Sequence, residues 1–269
     1  TFTSGGSDRS FILVLPSGYD PTESCPHVFL WHWLGGDANE FLQRAEVQLA
    51  ADTQGFIAVI PEKKGSDLFT WPMDATSSQA RVDEELGFFD DMLSCVVEAY
   101  SIDTSCVSSI GVSAGALWTS QLAHLRSTNL ASFVSLSGGT GGIAIKPWQT
   151  AEHKLPGIVL WGGDTDTCQG LLSFRDLSHD LEGHLTDEGH FFLECIHNCG
   201  HSEPPFEAPM GYSKYKGMWD FVLDHPYWNG PGASVYTTDG LSPDLPEWCA
   251  IGQGNAMERT GECLDPSQC

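Results

Sequence analysis

The stretch CVSSIGVSAGALWTSQLAHL spans residues 106–125, and its centre, GVSAG at 111–115, decides how the rest of the chain is read. A strand-like apolar run enters and a helix-like apolar run leaves, with five small residues between them. So sharp a reversal strains the backbone of its central residue and lifts that side chain clear of the sheet. Glycines two before and two after remove the side chains that would clash there. Ser113 is therefore expected at the carboxyl edge of a parallel sheet. It also caps a helix N-terminus, whose free N–H groups favour developing negative charge.

Outward from this turn, short apolar runs at 10–16, 27–32, 55–61, 106–112, 133–138, 157–162 and 190–197 predict strands. Their near-continuous apolar character marks strands covered on both faces. Helix-like segments lie between and after them, at 39–53, 82–100, 114–126, 169–182 and 212–225. Repeated β-then-α order predicts an α/β fold with a mainly parallel sheet and helices on both faces. From Pro226 the chain turns rich in Gly, Pro and Ser and carries three cysteines. This stretch is too short and too poor in apolar residues to fold alone. The expected organisation is one catalytic domain over 1–269, with 226–269 packed on it as a disulfide-pinned wrap.

The bulk numbers narrow the function. A chain of 269 residues, 41% hydrophobic and 18% charged, can bury a large core. No apolar run reaches the ~18–20 residues needed to cross a bilayer. The net charge of −24 repels phosphate backbones and anionic lipid, so nucleic-acid and membrane-surface partners are not expected. That charge reads either as plain solubility or as a saline habitat. Nine cysteines spread along the chain without a CxxC pair suit structural disulfides in an oxidising compartment. The chain starts at Thr1 without a basic and apolar leader, which suits a mature secreted form.

A serine hydroxyl needs a base, and the base needs an orienting acid. After the 157–162 run comes GDTDTC, offering Asp164 and Asp166; after the 190–197 run comes NCGH, offering His201. Asp166 is preferred because it lies deeper in its loop, whereas Asp164 can cap the turn. His201 is preferred over His179, His184, His190 and His197 because it alone follows a glycine in a loop after a strand. The oxyanion hole needs two backbone N–H groups. Ala114 supplies one, and the glycine-rich loop WHWLGG at 31–36 the other, with Leu34 the candidate and Trp33 its alternative. Trp31, Trp33 and Trp71 are candidates to rim a substrate site, with Trp148 beside them. Cys195, His197, Cys199 and His201 are zinc-competent, but a row on one strand makes a poor tetrahedron. Disulfides explain those cysteines more simply, so neither metal nor cofactor is expected.

From RSFILVLPSGYDP (9–21) through HVFLWHWLGG, LAADTQGFIAVIP (49–61) and RVDEELGFFDDML (81–93), the chain resembles a known group. The likeness continues through GVSAGALWTSQLA (111–123), VSLSGGTGG (134–142), GIVLWGGDTDT (157–167) and CGHSEPP (199–205). That group is the secreted polyhydroxybutyrate depolymerases and feruloyl/acetylxylan esterases, the carbohydrate esterase family 1-like α/β-hydrolases. About four-fifths of the chain is covered in order; the 226–269 tail lies outside. The resemblance implies an α/β-hydrolase fold and a secreted serine ester hydrolase acting on polyester or on feruloyl or acetyl esters of plant polysaccharide; a monomer is expected. One departure concerns substrate: Trp33 stands where the group's His-Gly-x-x-Gly has its first glycine. Two other classes stay open, a serine peptidase on the same fold and a non-catalytic binding protein that keeps it.

If Asp166 and His201 meet, the loops that hold Cys168 and Cys199 meet as well. A Cys168–Cys199 bridge is therefore expected, with Cys195 a competitor for either partner. Cys95 and Cys106, flanking the link into the 106–112 run, are the next expected pair.

Overall fold

The computed structural model describes residues 2–65, 70–168, 170 and 172–263. A short antiparallel hairpin, β1 (Phe2–Ser4) and β2 (Ser7–Arg9), opens the chain. The main sheet takes β3 (Phe11–Val14), β4 (Cys25–Trp31), β5 (Ile57–Pro61), β6 (Ile102–Val112), β7 (Ser132–Leu136) and β8 (Gly157–Trp161). A two-residue pair follows, β9 (Thr167–Cys168) with β10 (Leu172–Ser173), and then β11 (Phe192–Ile196) and β12 (Cys249–Ile251) complete the sheet. The eight-stranded order is β12-β11-β8-β7-β6-β4-β5-β3. Its six inner strands run parallel, and only the two edges, β3 and β12, pair antiparallel.

Every residue of β5, β7 and β8 is buried, as continuous apolar runs require. Alternate side chains feed two cores. On one face Phe29, Trp31 and Val59 pack under α3 (Gln79–Ala99), α4 (Ala114–Leu125) and α5 (Phe174–Glu188). On the other, Val28, Leu30 and Ile60 pack under α1 (Ala38–Arg44), α2 (Val47–Gln54) and α6 (Lys216–Leu223). A four-residue helix, α7 (Tyr236–Asp239), adds Tyr236 to this second core. The expected α/β layering, with helices on both faces, is the observed one.

Three helices differ from the sequence reading. The 39–53 segment is two helices, because Glu46 takes a left-handed conformation at φ 52° and breaks the ladder. The 169–182 segment starts later, at Phe174, where the Ser173 hydroxyl accepts the Asp176 N–H at 3.2 Å and caps it. Gln169 and Leu171, inside the expected helix, lie outside the described residues. The 212–225 segment shortens to Lys216–Leu223.

The expected cysteine pairs are corrected. Cys199 bonds Cys263, and Cys195 bonds Cys249. Cys168 is disulfide-bonded, but not to Cys199. Cys95 and Cys106 are free thiols, as is Cys25. The cause is the return path of the tail: β12 pairs antiparallel with β11 and sets Cys249 opposite Cys195. Cys95 faces outward from α3, while the half-buried Cys106 thiol donates to the Asp103 carboxylate at 3.5 Å. Cys269 lies outside the described residues.

Candidate active site

Ser113 joins the end of β6 to the start of α4 with φ 55° and ψ −118°, a conformation costing about 1–3 kcal/mol away from glycine. The surroundings hold it there. Its N–H donates to Leu136 O at 2.9 Å, which docks the turn on β7. A Cβ on Gly111 would lie 2.1 Å from Gly115 O, and one on Gly115 would lie 2.0 Å from Trp31 O. Both glycines are thus required by backbone contacts: one lets the turn close on itself, and the other lets α4 press on the end of β4.

His201 bridges the serine and the acid. Its Nε2 lies 2.9 Å from Ser113 Oγ and its Nδ1 lies 2.7 Å from Asp166 Oδ1. Asp166 is fully buried, and its second oxygen accepts the Gly162 N–H and the Ser137 hydroxyl, both at 2.8 Å. With that oxygen saturated, the carboxylate has one direction left in which to aim. Asp164 points away; its exposed carboxylate pairs with Arg175 at 2.7 Å. The two loops touch through the backbone, Gly200 N–H to Gly162 O at 2.9 Å, and a Cβ on Gly162 would meet Gly200 O at 2.0 Å. Among the competing histidines, His197 is buried next door and burial pushes it down to about 4, so it stays neutral.

The remaining site candidates divide. Trp33, Leu34 and Ala114 line, with Ser113 and His201, a cavity of about 600 Å³. Ala114 is the first residue of α4, so its N–H has no acceptor within the helix. The 31–36 loop is steadied by Trp71, whose indole N–H donates to His32 O at 2.8 Å. Trp33 lies stacked beside Phe41 at 6.2 Å, with the Arg44 guanidinium 5.2 Å from its ring. Trp31 and Trp71 do not rim the cavity. Both are fully buried, edge-to-face at 5.0 Å, because Trp31 shares its sheet face with Phe29 and lies beneath α4. Trp148 is likewise buried, its indole N–H donating to Glu188 at 2.9 Å.

Sequence reasoning missed three contributors. Ser137, at φ 50°, donates to the acid. Phe174 stacks on the His201 imidazole at 4.3 Å, and its N–H donates to Asp166 O at 2.9 Å, so one residue orients both partners. Glu203 also lines the cavity, bound to Lys214 and the Tyr215 hydroxyl and, at 3.2 Å, to Arg44. Burial pushes the Glu203 carboxyl up, but these partners outweigh it and hold the group below its usual range. Only Phe174 carried a signal, as the first apolar residue after a Ser cap.

No family model matches the chain. Against solved structures it covers 93% of its own length and 92% of native pOPH, with a TM-score of 0.71 and 16% identity. Against the CE1 ferulic acid esterase of Anaeromyces mucronatus in complex with ferulic acid, it covers 81% of its own length and 85% of that chain, at TM-score 0.59 and 16% identity. The chain has the α/β-hydrolase fold. In sequence, the chain is similar to Feruloyl esterase D of Neurospora crassa, 27% identical over 143 residues, which are 51% of this chain and 49% of that one. It is also similar to Feruloyl esterase C of Emericella nidulans, 25% identical over 132 residues, covering 49% and 47%. The chain spans about half the length of the curated relatives it matches. The likeness to feruloyl esterases read from the motifs agrees with these relatives.

Proposed function

We propose that the chain is a secreted serine carboxyl-ester hydrolase whose substrate is an ester of an aromatic acid, such as a feruloyl group on plant polysaccharide. The observation that carries this reading is the unbroken line from Ser113 through His201 to Asp166, at 2.9 and 2.7 Å. Ser113 Oγ attacks the ester carbonyl while His201 Nε2 takes its proton. Asp166 holds the imidazole and balances its positive charge. The N–H groups of Ala114 and Leu34 receive the oxyanion of the tetrahedral intermediate. His201 then protonates the leaving alcohol, and water clears the acyl-enzyme by the same steps in reverse. The catalytic unit is read as one domain, and no cofactor takes part in these steps.

Two features favour an aromatic acyl group. Phe174, Leu117, Leu172 and Met73 give the serine an apolar flank within a cavity large enough for a phenyl ring. The names of the sequence relatives point the same way. Disulfides support an extracellular setting, and no helix among the described residues is long and apolar enough to cross a membrane. Initial rates on methyl ferulate, acetylated xylan, hydroxybutyrate oligomers and peptide anilides test the proposal. Methyl ferulate should be hydrolysed fastest, and Ser113→Ala should abolish it. Preference for hydroxybutyrate oligomers overturns the aromatic assignment; cleavage of anilides alone overturns ester hydrolysis.

A further inference from the structure

Behind the catalytic corner, on the helix face of β8 and β11, lies a second cluster that the hydrolytic reading does not use. His179 and Glu182 stand one turn apart on α5, and Glu194 stands on β11. One ligand atom from each falls within 4.8 Å of the other two. Glu182 is fully buried, and neither of its carboxylate oxygens has a hydrogen-bond partner. Such a group is costly to fold around unless a charge answers it. Glu194, also buried, is held by the returning tail: its two oxygens accept the N–H groups of Gly254 and Ala256 at 2.9 and 2.8 Å. Each of those oxygens keeps a further lone pair. The His179 ring packs edge-on against Trp161 at 5.0 Å, and its backbone carbonyl accepts Gln253 at 3.3 Å.

We propose that His179, Glu182 and Glu194 bind one divalent transition-metal ion, of the zinc or manganese type. Two carboxylates and an imidazole form an N/O donor set, which suits these ions better than calcium or magnesium, whose sites are built from oxygen. Drawing the three atoms onto an ion at ~2.0–2.2 Å moves each by less than about 1 Å, within the reach of side-chain adjustment. The exposed His179 forms the mouth, and Glu182 and Glu194 form the floor. The three ligands come from α5 and β11, and Glu194 also carries the 254–256 backbone. The ion therefore clips helix, sheet and tail together. Its role is structural, since α5 also presents Phe174 to His201.

Chelator-treated full-length protein, titrated with zinc chloride or manganese chloride, tests the site by calorimetry and by melting temperature. The expected result is one ion per chain and a melting temperature that rises with free metal, as binding to the folded state requires. His179→Ala changes an exposed residue and should keep the fold while weakening binding at least tenfold. Glu182→Gln should remove the metal-dependent shift. His184→Ala, altering a neighbouring, partly exposed histidine that lies 3.9 Å from Asp180, should change nothing. The proposal is overturned by no binding of either ion, by binding that His179→Ala and Glu182→Gln leave intact, by loss in His184→Ala instead, or by a response to calcium alone.

Discussion

The turn that carries Ser113 and the corner that carries Asp166 and His201 meet in one line of hydrogen bonds, yet different physics holds each. The turn is held by contact. Gly111 and Gly115 let backbone atoms approach where any Cβ would collide, and a single N–H to Leu136 docks the loop. The corner is held by polar satisfaction and crosslinks: two donors on one Asp166 oxygen, an aromatic face on His201, and a bond from Cys199 to Cys263. The contrast has a lesson in it. Steric fit is written locally, in five consecutive residues. Hydrogen-bonded corners are assembled from distant segments.

The contrast can be broken first at the corner. His201→Ala should lower kcat/KM by about four decades or more, and Asp166→Asn by somewhat less. Asp164→Asn, which touches only an exposed pair with Arg175, should change it less than twofold. Ester-hydrolysis kinetics on folded variants decide this, and a larger loss for Asp164→Asn would reassign the acid.

Acid should act on stability through three buried histidines, one in the corner and two elsewhere. Burial pushes His197 and His124 down to about 4 and His27 down to about 3, against an ordinary value of 6.5. Between those values and 6.5 the unfolded chain binds more protons than the folded one. Their contribution to stability should therefore be full above pH 6.5 and be lost as pH drops towards 4, by on the order of several kcal/mol over the three groups. Urea unfolding at pH 7, 5.5 and 4.5, compared between the unaltered chain and His27→Gln, His124→Gln and His197→Gln variants, measures it, and identical pH slopes would refute the account of neutral burial.

The turn is tested by filling its contacts. Gly115→Ala places a Cβ 2.0 Å from Trp31 O and should cost about 4 kcal/mol, or leave the chain unfolded. Gly183→Ala on α5 meets nothing within 4 Å and should be neutral or stabilise by about 0.5–1 kcal/mol. Between these two lies the corner's crosslink. The double change Cys199→Ser with Cys263→Ser opens a bond between residues 64 apart and should cost about 2–4 kcal/mol. If the bond also steadies His201, turnover should fall before the protein melts; unchanged turnover up to the melting point would make it a fold staple only.

Much of this was legible in the sequence, and the reason differs from residue to residue. Strands buried on both faces betray themselves as apolar runs, and the elbow as glycines flanking a serine. That Asp166 and His201 would lie beside Ser113 could be read because each follows a strand whose end lies at the same edge. Trp31 and Trp71 could not be placed, since composition does not say which face of a strand end an indole takes. The disulfides were misread because the tail returns as β12 opposite β11, a long-range pairing with no periodic signal. Ser137 and the Glu203 network were invisible for the same reason: their partners lie 29 residues away in one case and, for Arg44, 159 in the other.

The central claim is that Ser113 is a nucleophile activated by His201. Labelling with a fluorophosphonate, followed by peptide mass spectrometry, tests it most directly. One adduct per chain on the peptide bearing Ser113, lost in Ser113→Ala and strongly slowed in His201→Ala, is the expected result. A folded protein that takes no label, or takes it on another serine, would contradict the claim.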